Sequence, residues 1–250
     1  MSTIAMRPIQ PAKQARLVPG RRFDHLFFSS MALLLLATVF LGFARTYYLA
    51  GIFRAPLPSL IIHLHGAAFS CWILLLVTQT SLVSAGRVNI HRRLGIAGFF
   101  WACLMVILGV LAATDSLARN AGPPGGDPKF FYIIPLTDIL IFATLIFFAF
   151  RDRSNPSAHK RLIFVGTVAL MTAAIARWPI WSHRNPFVAA LCSYVFLLIL
   201  VTYDLWSTRK LHRATIWAGA FLIFIQQIRI PIGHTAAWHS FATWAQAIGR

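Results

Sequence analysis

Long apolar runs separated by short polar connections dominate the chain. Windows rich in Leu, Ile, Val, Ala and Phe run from Leu26 to Ala50, Ser59 to Val83, Leu94 to Thr114, Phe130 to Phe150, Leu162 to Trp181, Pro186 to Trp206 and Thr215 to Thr235. Each reaches the roughly 20 residues that a helix needs to cross the hydrocarbon core of a bilayer. The pattern predicts an all-α polytopic membrane bundle of about seven transmembrane helices, in which 26–235 form the membrane domain. It leaves 1–25 as a basic N-terminal tail and 236–250 as a short C-terminal tail. The first run follows a mostly polar and basic stretch and exceeds a signal-peptide core in length, so it is expected to stay as an anchor. The one longer connection, Asp115 to Lys129, contains Gly122, Pro123, Pro124, Gly125 and Gly126, which disfavour regular structure.

Basic residues orient the bundle. Fifteen Lys and Arg flank one set of helix ends, among them Arg87, Arg92, Arg93, Arg151, Arg153, Lys160, Arg161, Arg209, Lys210 and Arg213, while five flank the other: Arg54, Arg119, Lys129, Arg184 and Arg250. The richer side faces the cytoplasm by the positive-inside rule, which puts the N-terminus there and requires an odd number of spans. Tyr47, Tyr48, Trp178, Trp181, Trp206, Trp217, Trp238 and Trp244 fall near the expected interfaces, where amphipathic rings are favoured.

Composition agrees. Of 250 residues 58% are hydrophobic and 12% charged, and the mean hydropathy is +0.69, which calls for lipid as solvent. The formal charge of +17 would suggest nucleic acid in a soluble domain, but here the cations sit between apolar runs and serve topology, so no nucleic-acid partner is expected. Cys71, Cys103 and Cys192 lie inside apolar runs without the spacing of a metal site and read as buried thiols.

The third, fifth and seventh spans begin with related basic signatures: His91-Arg92-Arg93-Leu94-Gly95, His159-Lys160-Arg161-Leu162 and His212-Arg213-Ala214. These suggest three hairpins after a lone first helix, with cations snorkelling to headgroups; a cytoplasmic metal or haem site is the alternative.

Ionisable residues within spans are costly and therefore mark candidate function. The chain has no glutamate, and its acids are Asp24, Asp115, Asp127, Asp138, Asp152 and Asp204. At 1.5 Å per residue, Asp138 lies roughly 12 Å into the fourth span. His63 and His65 fall in the first two turns of the second, Arg177 near the outer end of the fifth, and Gln226, Gln227 and Arg229 about two turns below the outer surface in the seventh, with His234 above them. Ala169, Ala173 and Arg177 share one helical face, Gln226, Arg229 and Gly233 another, and His65, Trp72 and Gln79 form a stripe on the second span. Together they predict a polar pocket in the outer leaflet.

Several readings fit that pocket. Asp138 can pair with one arginine while the other snorkels and the histidines bond to backbone. An excess of arginine over aspartate favours a small anionic or lipid-like ligand, for transport or sensing, with Asp138 as a proton carrier gated by Arg177 or Arg229. A b-type haem or quinone-linked redox site would use His63 or His65 with His234 as axial ligands and the arginines on propionates. His63 and His65 point about 200° apart, so only one can face a given cavity. Hydrolase motifs such as HExxH and GxSxG are absent, which sets binding ahead of catalysis. A scaffold or assembly subunit with membrane protein partners would use Gly95, Gly98, Gly109, Gly166 and Gly219 for helix packing.

The run His63-Leu64-His65-Gly66 with Trp72 and Gln79, then His91-Arg92-Arg93-Leu94-Gly95, Asp138, His159-Lys160-Arg161-Leu162 and Arg177, resembles a group of uncharacterised bacterial multi-pass membrane proteins. The likeness runs from about Pro56 to the C-terminus. It implies a bacterial inner-membrane protein and carries no activity or substrate with it.

Overall fold

The computed structural model describes residues 20–56, 58–122, 125–179 and 186–249. Most of the basic N-terminal tail, Pro123, Pro124, Trp181, Arg184 and Arg250 lie outside the described residues. Nine α-helices form among the described ones, and seven of them are long and apolar enough to span a membrane. They are α1 (Gly20–Phe43), α3 (Leu60–Ser84), α4 (Val88–Ala118), α5 (Pro128–Arg151), α6 (Pro156–Ile175), α7 (Pro186–Thr208) and α8 (Arg213–Gly233). The chain is therefore a polytopic all-α membrane protein. The short α2 (Ala50–Phe53) follows a π-helical turn at Ala44–Tyr48 that ends the first span, and α9 (Ala236–Ile248) follows α8.

Local chemistry sets the boundaries. Asp127 and Asn155 accept backbone N–H groups at the starts of α5 and α6, each followed by a proline at the first helical position, where the missing donor does no harm. Gly86, at φ 72°, turns the chain between α3 and α4. The fifth span ends earlier than its apolar run: Arg177 and Trp178 donate back to Ala174 and Ile175 in a tightened last turn, and Pro179 offers no N–H to continue it.

Helix α6 is the centre of the bundle. Within its most apolar window 72% is buried, against 17% for α3, so lipid faces α3 and protein faces α6. Helices α1, α5, α7 and α8 pack around α6, while α3 and α4 form an outer pair that bridges α1 to α5. Glycines allow close approach: a Cβ on Gly42 would fall inside contact distance of the Ala174 backbone carbonyl, which locks α1 against the end of α6. Gly98, Gly109, Gly166 and Gly219 likewise face side chains of neighbouring helices within this chain. The outward surface carries Phe100, Ile107, Leu191 and Leu198, each more than half exposed and suited to acyl chains.

The segment expected as a C-terminal tail carries α9, capped by Thr235. This helix crosses the ends of α5 and α4: Trp238 Nε1 donates to the Lys129 carbonyl at 2.8 Å, Lys129 Nζ donates to Thr243 at 2.8 Å, and Gln246 Nε2 donates to the Leu117 carbonyl at 3.0 Å. Phe241, Trp244 and Ile248 remain exposed, as on a helix lying in a membrane interface.

Candidate functional site

The intramembrane acid lies in the interface of α5, α6 and α8. Arg229 Nη1 donates to Asp138 Oδ1 at 2.7 Å and to Thr137 Oγ1 at 3.2 Å. Gln226 Nε2 adds a longer bond to Asp138 Oδ1 at 3.3 Å and lies 3.5 Å from Thr172 Oγ1 on α6. Asp138, Gln226 and Arg229 are all buried. Spacing explains the arrangement, because Gln226 and Arg229 lie three apart on α8 and so present both side chains to one stretch of α5. A guanidinium and a carboxylate removed from water are tolerable only as such a pair, hydrogen-bonded on several sides.

Asp138 also borders a partly open cavity of about 550 Å³ lined by α1, α3, α4, α5 and α6. His65 and Trp72 from α3, Thr172 from α6 and Arg177 line it too, and Tyr47 and Tyr48 of the π-helical turn lie on the wall toward the helix ends. The outer α3–α4 pair stands apart from α6 here. That separation creates the space.

The histidines take separate roles. His65 lines the cavity, its ring 4.1 Å from that of Phe69, and its buried Nδ1 finds no hydrogen-bond partner among the described residues. Thr46 Oγ1, also on the wall, and Gln226 Oε1 are in the same position. His63 is exposed and holds Tyr47, whose hydroxyl lies 3.1 Å from both the His63 Nδ1 and its carbonyl. His234 caps the end of α8 and stacks on Phe130 at 4.4 Å. Of the three imidazoles expected as haem ligands, His65 is the one on the cavity wall.

Arg177 stands two residues past α6, where Nη1 donates to the Ala173 carbonyl at 2.7 Å and the guanidinium sits 5.0 Å over the Phe43 ring. A cation at a helix C-terminus meets the negative end of the helix dipole there. Trp72 Nε1 donates to Thr167 at 3.2 Å across the bundle. Gln227 bonds the Tyr194 hydroxyl at 3.1 Å, away from Asp138.

A second polar cluster occupies the opposite end of the bundle. Arg161 contacts Asp204 Oδ1 through Nη2 at 2.5 Å and Nε at 3.0 Å; Thr215 and the His212 backbone N–H donate to Asp204 Oδ2 at 2.6 and 3.1 Å. Beside it Lys160 Nζ meets Asp24 at 2.7 Å, and the Tyr203 hydroxyl donates to the same carboxylate at 2.7 Å. Arg161 and Asp204 are buried, so Arg161 does not snorkel to headgroups; Arg92, Arg93 and Arg213 are exposed and fit that role. His159 Nδ1 lies 2.7 Å from the Ala149 carbonyl. Among the described residues no group of three His, Cys, Asp or Glu converges as a metal set, here or elsewhere. The sequence signal for the cluster was the scarcity of acids, since Asp24 and Asp204 stand at the margins of apolar runs beside abundant cations.

His212 caps α8 through Nδ1, which accepts from the Ala214 N–H at 3.1 Å. Partial burial and then the nearby Arg161 charge push its pKa below the ordinary imidazole value.

No family model, curated protein or solved structure matches this chain. Its class, a seven-span helical membrane protein with two buried ion pairs among the described residues, rests on the sequence and the geometry above.

Proposed function

We propose that this chain is a bacterial inner-membrane protein, N-terminus inside, whose outer-leaflet cavity binds a small anionic or lipid-like ligand for transport or sensing. The observation that carries this reading is the 550 Å³ space between the α3–α4 pair and the bundle centre, bordered by Asp138, His65 and Arg177. Ligand pockets for small molecules span about 300–1,000 Å³ and combine apolar walls with a few convergent polar groups. This cavity has that make-up.

Proton coupling through Asp138 belongs to the same reading. The Asp138 carboxylate is paired with Arg229 and also borders the cavity, which puts a titratable group beside the ligand.

Mass spectrometry of small molecules recovered with detergent-purified protein tests the site. Ala112 lines the cavity from α4, and Ala112→Phe is expected to remove whatever the parent retains. Equal recovery from parent and variant would place binding elsewhere.

A further inference from the structure

We infer that the cavity ligand is a neutral, flat, carbonyl-bearing apolar molecule of the lipid-soluble quinone class, whose carbonyl oxygen is taken by the Nε2–H of His65. This rests on the reading of the cavity as a binding site and narrows it to one chemistry.

The tautomer of His65 comes first. Its Nδ1 is sealed from solvent and meets no partner among the described residues. Burying an N–H without an acceptor costs more than leaving a lone pair unfilled, so the proton resides on Nε2. The ring borders the cavity, and with Nδ1 walled in it is the Nε2–H edge that remains for a ligand. A neutral imidazole N–H is a donor, and it calls for an oxygen acceptor.

Charge then separates a neutral acceptor from an anion. Among the guanidinium groups on or directly behind the cavity wall, Arg229 is held by Asp138 at 2.7 Å. Arg119 is held by Asp115 at 2.7 Å, and Arg177 is bound to the Ala173 carbonyl over the Phe43 ring. An anion placed against His65 would share the cavity with the Asp138 carboxylate and would have to draw a lining cation, Arg119 or Arg177, from an existing partner. A neutral carbonyl meets neither cost.

Shape supplies the ring. Phe69 lies against His65, Trp72 stands further along the same helix, and Tyr47, Tyr48 and Tyr132 also border the cavity. Conjugated rings stack favourably on such faces, and the remaining apolar lining suits a hydrocarbon substituent.

Native mass spectrometry of the full chain released from detergent tests this with two probes, a decyl-substituted benzoquinone and tetradecanoate. The parent is expected to bind one quinone, and Ala112→Phe to abolish it. His65→Leu should weaken binding about tenfold, as expected for one lost hydrogen bond, while His65→Gln, which keeps an N–H donor, should stay within about threefold. His65→Phe serves the same comparison as the leucine variant if that protein does not fold. Equal quinone affinity in parent and His65→Leu, or equal loss in His65→Leu and His65→Gln, overturns the assigned donor. Binding of tetradecanoate without the quinone overturns the ligand class and leaves the cavity standing as a site. Binding of neither probe removes the inference and the cavity reading together.

Discussion

At the residue scale, the two buried ion pairs make a contrast that mutation can measure. Removing one partner of a buried pair leaves a bare charge and costs about 3–5 kcal/mol, whereas replacing both with apolar groups is often close to neutral. Asp138→Leu and Arg229→Leu are each expected to lower the thermal midpoint in detergent strongly, and the double variant to recover most of the loss. Additive losses in the double variant would show that the two groups do not depend on one another. His212 gives a pH-dependent counterpart. Its folded pKa lies below its unfolded value, so the unfolded chain takes up the proton first as pH falls below roughly 6.5. The stabilisation from the neutral cap is complete above that value and is lost as pH falls through the folded pKa. Protonation at Nδ1 would also break the bond from the Ala214 N–H. Hydrogen exchange at the first turn of α8 is therefore expected to quicken at mildly acidic pH in the parent. An unchanged profile in His212→Asn, whose side chain caps without titrating, would be the matching control.

At the element scale, the seven spans were legible because hydropathy is a local property: a run of some 20 apolar residues announces itself without knowledge of its neighbours. What lay between spans was not. Arg161 looked like one more snorkelling cation because its acid, Asp204, is 43 positions away, and only the packing of α6 against α7 brings them together. The end of α6 was blurred for the opposite reason, since hydropathy continues through Ala176 and Trp178 while backbone geometry stops at Ile175. At 13 residues α9 is too short to register as a span. For Asp138, Gln226 and Arg229, helical phase and depth were readable from spacing, but His63 and His65 were separable only once Tyr47 had claimed the former. Two substitutions probe the elements themselves. Gly42→Leu must push α1 away from the Ala174 backbone and is expected to cost several kcal/mol. Trp238→Ala removes the bond to the Lys129 carbonyl and a ring packed on Tyr132, and should detach α9, raising protease sensitivity after Thr235 while the spans stay intact. Protection equal to the parent would show that α9 is held by its other contacts.

At the scale of the whole molecule, the charge asymmetry assigns sides that labelling can check. Single cysteines at Arg119 and Arg153, placed in a background lacking Cys71, Cys103 and Cys192, are expected to react from opposite faces of the membrane. Reaction from the same face would refute the alternation of spans. The central helix is also the least apolar one: the best window of α6 averages 1.3 in hydropathy, with 1.4 for α8 and 2.1 to 2.5 for the other spans. Shielding by protein accounts for α6, which holds the buried Arg161, whereas α8 is 33% buried and owes its lower average to the buried Gln226 and Arg229.

The order of synthesis gives those pairings a further meaning. Asp138 emerges from the ribosome 91 residues ahead of Arg229, and Arg161 emerges before Asp204, so a chain halted after α6 holds an acid and a base in the bilayer that its own remaining helices were meant to neutralise. An unfinished copy therefore carries an unpaired acid and an unpaired base, each costly in lipid, until the spans that bear Asp204 and Arg229 are in place.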